Sequence, residues 1–130
     1  MNYCYTRKST RTFADTEQRV REALKERGFG VITEIDAQKT IKEKIGKDIL
    51  PYKILGACDP HSAHEAISLE STIGVFLPCN VVVREEKCHV VISTILPTIQ
   101  IGKTKNPALR QIAMHVEQQL KGAVDKAAEQ

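Results

Sequence analysis

A chain of 130 residues is long enough to bury roughly two thirds of the surface its unfolded form exposes, so it needs no disulfide or metal to staple it. Its 19 Lys and Arg stand against 16 Asp and Glu, and a formal charge of +3 is too small a surplus to mark a nucleic-acid binder. The opening MNYCYTRKST has no apolar signal core and no stretch approaches the ~18 apolar residues of a membrane span, which predicts a single cytoplasmic domain over 1–130, free of membrane, whose four cysteines stay reduced.

Tyr3 and Tyr5 alternate with Cys4 and Thr6, predicting a short strand over 2–7 before a polar turn. Asp15 with Gln18 reads as a capping box, and Val20, Ala23 and Leu24 recur at helical spacing until Gly28, predicting a helix over 16–27. Its Arg19, Arg21, Glu22, Lys25 and Glu26 form a solvated face. Residues 30–35 alternate as a half-buried strand, and Asp36 caps a short edge helix that buries Ile41 and Ile45 and ends at Gly46. A third strand over 52–57 carries Gly56, a position for close approach of another group.

Asp59 and Pro60 mark a helix start, because Asp accepts from free amides and Pro fits the first helical position. That helix runs through Ala63, Ala66 and Ile67 towards Ile73 and breaks at Gly74. Pro78 cannot donate to a ladder, so the next strand begins at Cys79. Residues 79–85 and 88–96 are Val- and Ile-rich and predict an antiparallel hairpin turning at 85–87. Cys79, Val81 and Val83 share one face with Val90 and Ile92, whereas Val82, Val91 and Ile95 make a second face too apolar for open water. A homodimer is the economical cover for it. After Pro97 comes a ten-residue connection, then Asn106 and Pro107 open a long helix to 127 whose stripe is Leu109, Ile112, Ala113, Val116, Leu120 and Val124. Met114 and His115 lie beside that stripe, and His115 reads as a surface histidine. The order βαβαβαββα predicts an α+β fold with helices on one face of a mixed, largely antiparallel sheet.

Chemistry-bearing residues gather between 51 and 80. Cys58 sits at a helix mouth, where free amides and the helix dipole are expected to lower a thiol's pKa. His61 and His64 follow at three-residue steps, and Cys79 lies just after Pro78. Cys58, His61, His64 and Cys79 together offer a donor set for Zn or another transition metal. The same residues support a thiol redox or sulfur-species module centred on Cys58, Cys79 and His64, or an enzyme with Cys58 as nucleophile and His64 as base. Two blander readings stand beside these. One is that the cysteines merely fill space, as Cys4, Cys88 and His89 are read to do. The other is a protein- or nucleic-acid-binding module with no chemistry, against which the apolar Val82, Val91 and Ile95 speak.

The segments GFGVITEIDAQKTIKEKIG, PYKILGACDPHSAHEAI and IGVFLPCNVVV resemble the signature blocks of the DUF302 family of small bacterial and archaeal proteins, over nearly the whole chain. The resemblance implies a compact α+β domain similar to a half-repeat of the TATA-binding-protein-like fold, assembled as dimers, and no established activity. It singles out Gly56, Cys58, Pro60, His64, Pro78, Cys79 and Asn80, with Asp59 standing where the family commonly has Asn.

Overall fold

The two Val- and Ile-rich segments pair as expected: β4 (Cys79–Glu86) and β5 (His89–Ile95) form a hairpin in which Glu86 faces His89 across Lys87 and Cys88. In this computed structural model, which describes residues 2–130, that hairpin is the centre of a five-stranded sheet. β3 (Tyr52–Cys58) pairs with β4, β2 (Gly30–Asp36) with β3, and β1 (Cys4–Ser9) with β5, giving the order β1-β5-β4-β3-β2 with every pairing antiparallel. The α+β class and the order of strands and helices are as the sequence predicts, with antiparallel pairing extending through the whole sheet.

One sheet face is the core. Leu55, Val81, Val83 and Ile92 are fully buried there, under Val20, Ala23 and Leu24 of α1 (Phe13–Glu26) and Leu120, Ala123 and Val124 of α5 (Arg110–Ala128). The other face can be followed in register from Ile35 through Ile54, Val82 and Ser93 to Thr6, and a 2.8 Å hydroxyl contact between Ser93 and Thr6 confirms that those two point the same way. This row is apolar at the β2 end and polar at the β1 end. Val91, expected to need an outside cover, is already buried, flanked in register by the long stems of Lys8 and Arg84.

Several boundaries shift for identifiable reasons. Thr12 Oγ1, not Asp15, is the cap of α1, accepting from the Asp15 amide at 3.1 Å, so the helix begins three residues before the expected position. β1 runs on to Ser9, whose buried hydroxyl meets that of Thr16 at 2.8 Å. α2 (Ala37–Ile45) is capped by Asp36 and ended by Gly46 at φ 69°, as its sequence predicts, but it buries neither Ile41 nor Ile45, which is largely exposed, because the helix lies against the edge of the sheet. α3 (Pro60–Leu69) stops short of Ile73 and gives way to a 3₁₀ helix, Ser71–Phe76. Asn106 donates to the Leu69 carbonyl and to Glu70, closing the end of α3 from a distant part of the chain. The connection after Pro97 contains a further helix, α4 (Pro97–Gly102), and α5 is preceded by a 3₁₀ turn, Pro107–Leu109, capped by Asn106. No helix among the described residues is long and apolar enough to cross a membrane.

Candidate functional site

The register of β3 and β4 places Ala57 opposite Cys79, so the last residue of one strand, Cys58, comes to lie beside the first residue of the other. Asp59 then caps α3, accepting from the His61 amide at 3.2 Å and from the Ser62 hydroxyl at 2.7 Å. Both cysteines line one pocket of about 270 Å³. Ala63 and Ala66 of α3 form one wall, and Pro97 and Ile101 of α4 another. Phe29, Ile73, Leu77 and Val116 close the interior, and Ile32, set out of register by the β-bulge between Val31 and Thr33, stands at its rim. The lining is nearly all apolar; Asp59 and Ser62 supply its polar edge, and they already bond each other.

Cys79 is buried and Cys58 half-buried, and both thiols are free. Burial, with a smaller contribution from the Cys58 charge, pushes the Cys79 thiol up to about 11. Cys58 is also raised, first by burial and then by the neighbouring Asp59 carboxylate. This reverses the expectation of a lowered Cys58 pKa. The helix mouth is present, but the Asp59 carboxylate accepts from its His61 amide and from the Ser62 hydroxyl, so the thiol has a negative charge beside it. At neutral pH both cysteines are predominantly thiols.

The four ligand candidates are distributed unevenly. Cys58 and Cys79 share the pocket, whereas Asp59, Ser62, Ala63 and Ala66 are the α3 residues that face it, leaving His61 and His64 on the outer side of the helix. Both histidines are exposed, and no hydrogen bond joins His64 to Cys58 among the described residues. His61 instead lines a separate shallow cleft with Glu65, Gln111 and His115, where α3 meets α5. Among the described residues no group of three or more His, Cys, Asp or Glu is gathered to hold a metal ion. Cys4 is half-buried on edge strand β1, Cys88 is exposed in the hairpin turn, where it fills no space in the core, and His89 bonds Glu86 at 3.1 Å.

The pocket walls from α4 and α5 escaped the sequence reading. Pro97 signalled only the end of a strand, and nothing local announces that Ile101, Ile112 and Val116 converge on cysteines more than twenty residues upstream. Gly56, marked as a point of close approach, has that role towards the chain itself. A Cβ there would collide with Thr33 Oγ1 and lie 2.7 Å from Pro78 Cγ, so the absent side chain is what lets Pro78 lead β4 into place beside the pocket.

A family model described as "Domain of unknown function DUF302" matches residues 5–127. The crystal structure of an uncharacterized conserved protein DUF302 from Bacillus stearothermophilus is similar to this chain, with a TM-score of 0.92 and 31% identity over 98% of this chain and 99% of the other. No curated protein matches.

Proposed function

We propose that this chain, which belongs to the DUF302 family, is a dithiol redox module of the cytoplasm in which Cys58 and Cys79 exchange with small disulfides or persulfides. The observation that carries this reading is the meeting of two free cysteines, one half-buried and one buried, in a single apolar pocket whose other acidic residue, Asp59, is engaged in capping α3, with no group of three donors gathered for a metal among the described residues. Two soft donors without further ligands suit sulfur–sulfur exchange better than a three- or four-coordinate metal.

In the exchange, the Cys58 thiolate attacks one sulfur of a small disulfide, its S–S bond breaks, and the first thiol leaves with the proton released by Cys58. Cys79 then attacks the Cys58 sulfur of the mixed disulfide and expels the second thiol, which carries off the Cys79 proton. The protein loses two electrons and two protons, and the substrate gains both. Cys58 is assigned the first attack because it is the more accessible sulfur. The raised pKa of both thiols disfavours thiolate in the reduced form, so the pair should be a reductant, with its disulfide comparatively stable.

The test is titration of the reduced chain with hydroxyethyl disulfide at pH 8, followed by peptide mapping. The expected result is an intramolecular Cys58–Cys79 bond, with two small thiols released per bond formed. Adducts confined to Cys88, with Cys58 and Cys79 still free after prolonged exposure, would refute the proposal. Cys58→Ala should abolish bond formation and leave Cys79 slow to react.

Self-association is a separate reading with its own support. Ile35 is half exposed and continues in register into Ile54 and Val82, so the apolar half of the uncovered sheet face, at the β2 end, is the surface we assign to a homodimer.

A further inference from the structure

A second cavity, of about 730 Å³, lies where α4, the turn after it and the first turns of α5 come together. Its floor is Ile101, Ala113 and Met114, and its rim carries Lys105, Arg110 and Thr98. No carboxylate is among its lining residues. Neither Lys105 nor Arg110 has an ion-pair partner among the described residues, although most other arginines of the chain are paired or bonded. Lys105 also holds a left-handed backbone, φ 57°, which a lysine adopts only at a cost that Gly or Asn would avoid. A cavity of this size lies within the range of roughly 300–1,000 Å³ typical of small-molecule sites, whereas the thiol pocket falls below it.

We propose that this cavity binds a small amphipathic carboxylate, its head group between Lys105 and Arg110 and its apolar body against Ile101, Ala113 and Met114. The charge pattern selects the sign of the ligand: two cations without an ion-pair partner among the described residues attract a negative head and repel an ammonium, while the carboxylates behind the lining, Glu117 and Glu70, are engaged by Thr98 and Asn106. The exposed thioether of Met114 and the adjoining Ile101 select an apolar body over a bare anion, because water on that floor is released when it is covered. This assignment is independent of the chemistry of Cys58 and Cys79. The two sites nevertheless share Ile101, which lines both cavities.

Octanoate is the probe, with octanol as the neutral counterpart and octylamine as the cation. Calorimetric titration of the full chain should show octanoate binding that weakens with added salt, and binding of octanol and octylamine at least about tenfold weaker. Lys105→Gln and Arg110→Gln should each reduce octanoate affinity about five- to tenfold, and the double variant more, with octanol unaffected. Backbone amide shifts on the wild-type chain should move at residues 101–114 and stay unchanged at Val81 and Val83. Equal binding of all three probes, unchanged affinity in the double variant, or shifts centred on Cys58 and Cys79 would each overturn the proposal. The Cys58→Ala, Cys79→Ala double variant should bind octanoate as the wild type does, and loss of binding there would place the ligand in the thiol pocket instead.

Discussion

Cys79 ties stability to alkaline pH. Its pKa is about 11 in the folded chain against an ordinary 9.0, so the unfolded chain gives up this proton first. The contribution is fully present below about pH 9 and is lost as pH rises through about 11, on the order of 3 kcal/mol in all. Cys58 is shifted the same way, as are Tyr5 and Lys53, so a variant is needed to isolate the effect. Urea midpoints measured from about pH 8 to about pH 11 should fall markedly less for Cys79→Ala than for the wild type; parallel curves would mean that the thiol ionises as freely as in the unfolded chain. Two glycines make a second contrast. Gly56→Ala drives a methyl against the Pro78 ring, which cannot swing aside, and should cost about 1–3 kcal/mol. At Gly122 the obstructing group is the guanidinium of Arg27, the far end of a flexible chain bonded to half-buried Gln119 at 3.2 Å. Gly122→Ala should therefore hold stability level or raise it by up to about 1 kcal/mol through helix propensity. Thermal melts of the two variants should move in different directions.

At the scale of elements, what the sequence discloses is what is local. Asp36, Asp59 and Asn106 each cap a helix through a neighbour two or three residues on, and all three starts are readable from the residue order. Helix α4 is different, since its leading amide is held from another element: Glu117 of α5 accepts from Thr98 N at 3.1 Å and from Thr98 Oγ1 at 2.7 Å. A carboxylate nineteen positions away leaves no periodic signature, so the segment read as a plain connection. Because Pro97 and Ile101 wall the thiol pocket, this tether also governs access to it. Glu117→Ala should lower stability by about 1–2 kcal/mol and speed iodoacetamide labelling of Cys79 at a pH where the wild type is protected. Unchanged labelling with a lowered melting temperature would show that α4 stays closed without its tether. The Cys58 pKa is hard to read for a similar reason: the helix mouth and its Asp59 cap are local, whereas the burial that chiefly raises the thiol comes from pocket walls supplied by distant segments.

For the whole molecule, the alternation of Cys79, Val81 and Val83 identified the buried face directly, whereas the meeting of the two cysteines rests on the β3–β4 pairing, which residue order does not disclose. The histidines did not follow, because helical spacing puts them near Cys58 in sequence but leaves them outside the residues that line the thiol pocket, His61 facing a neighbouring cleft against α5. The uncovered face was legible as apolar, yet Val91 proved buried within the chain and the exposed apolar area moved to the β2 end. Ile35→Lys should convert a dimer into a monomer in sedimentation equilibrium while leaving far-UV dichroism intact; a monomeric wild type at about 100 μM would remove this surface from consideration. The register that joins Cys4 to Ile95 bears on how the chain comes into being. During synthesis β1 is made some eighty residues before β5, its pairing partner among the described residues, so in that interval it is an edge without a sheet. Arg7 and Lys8, adjacent in that strand, give the waiting segment a charge that discourages pairing with other nascent chains until β5 arrives.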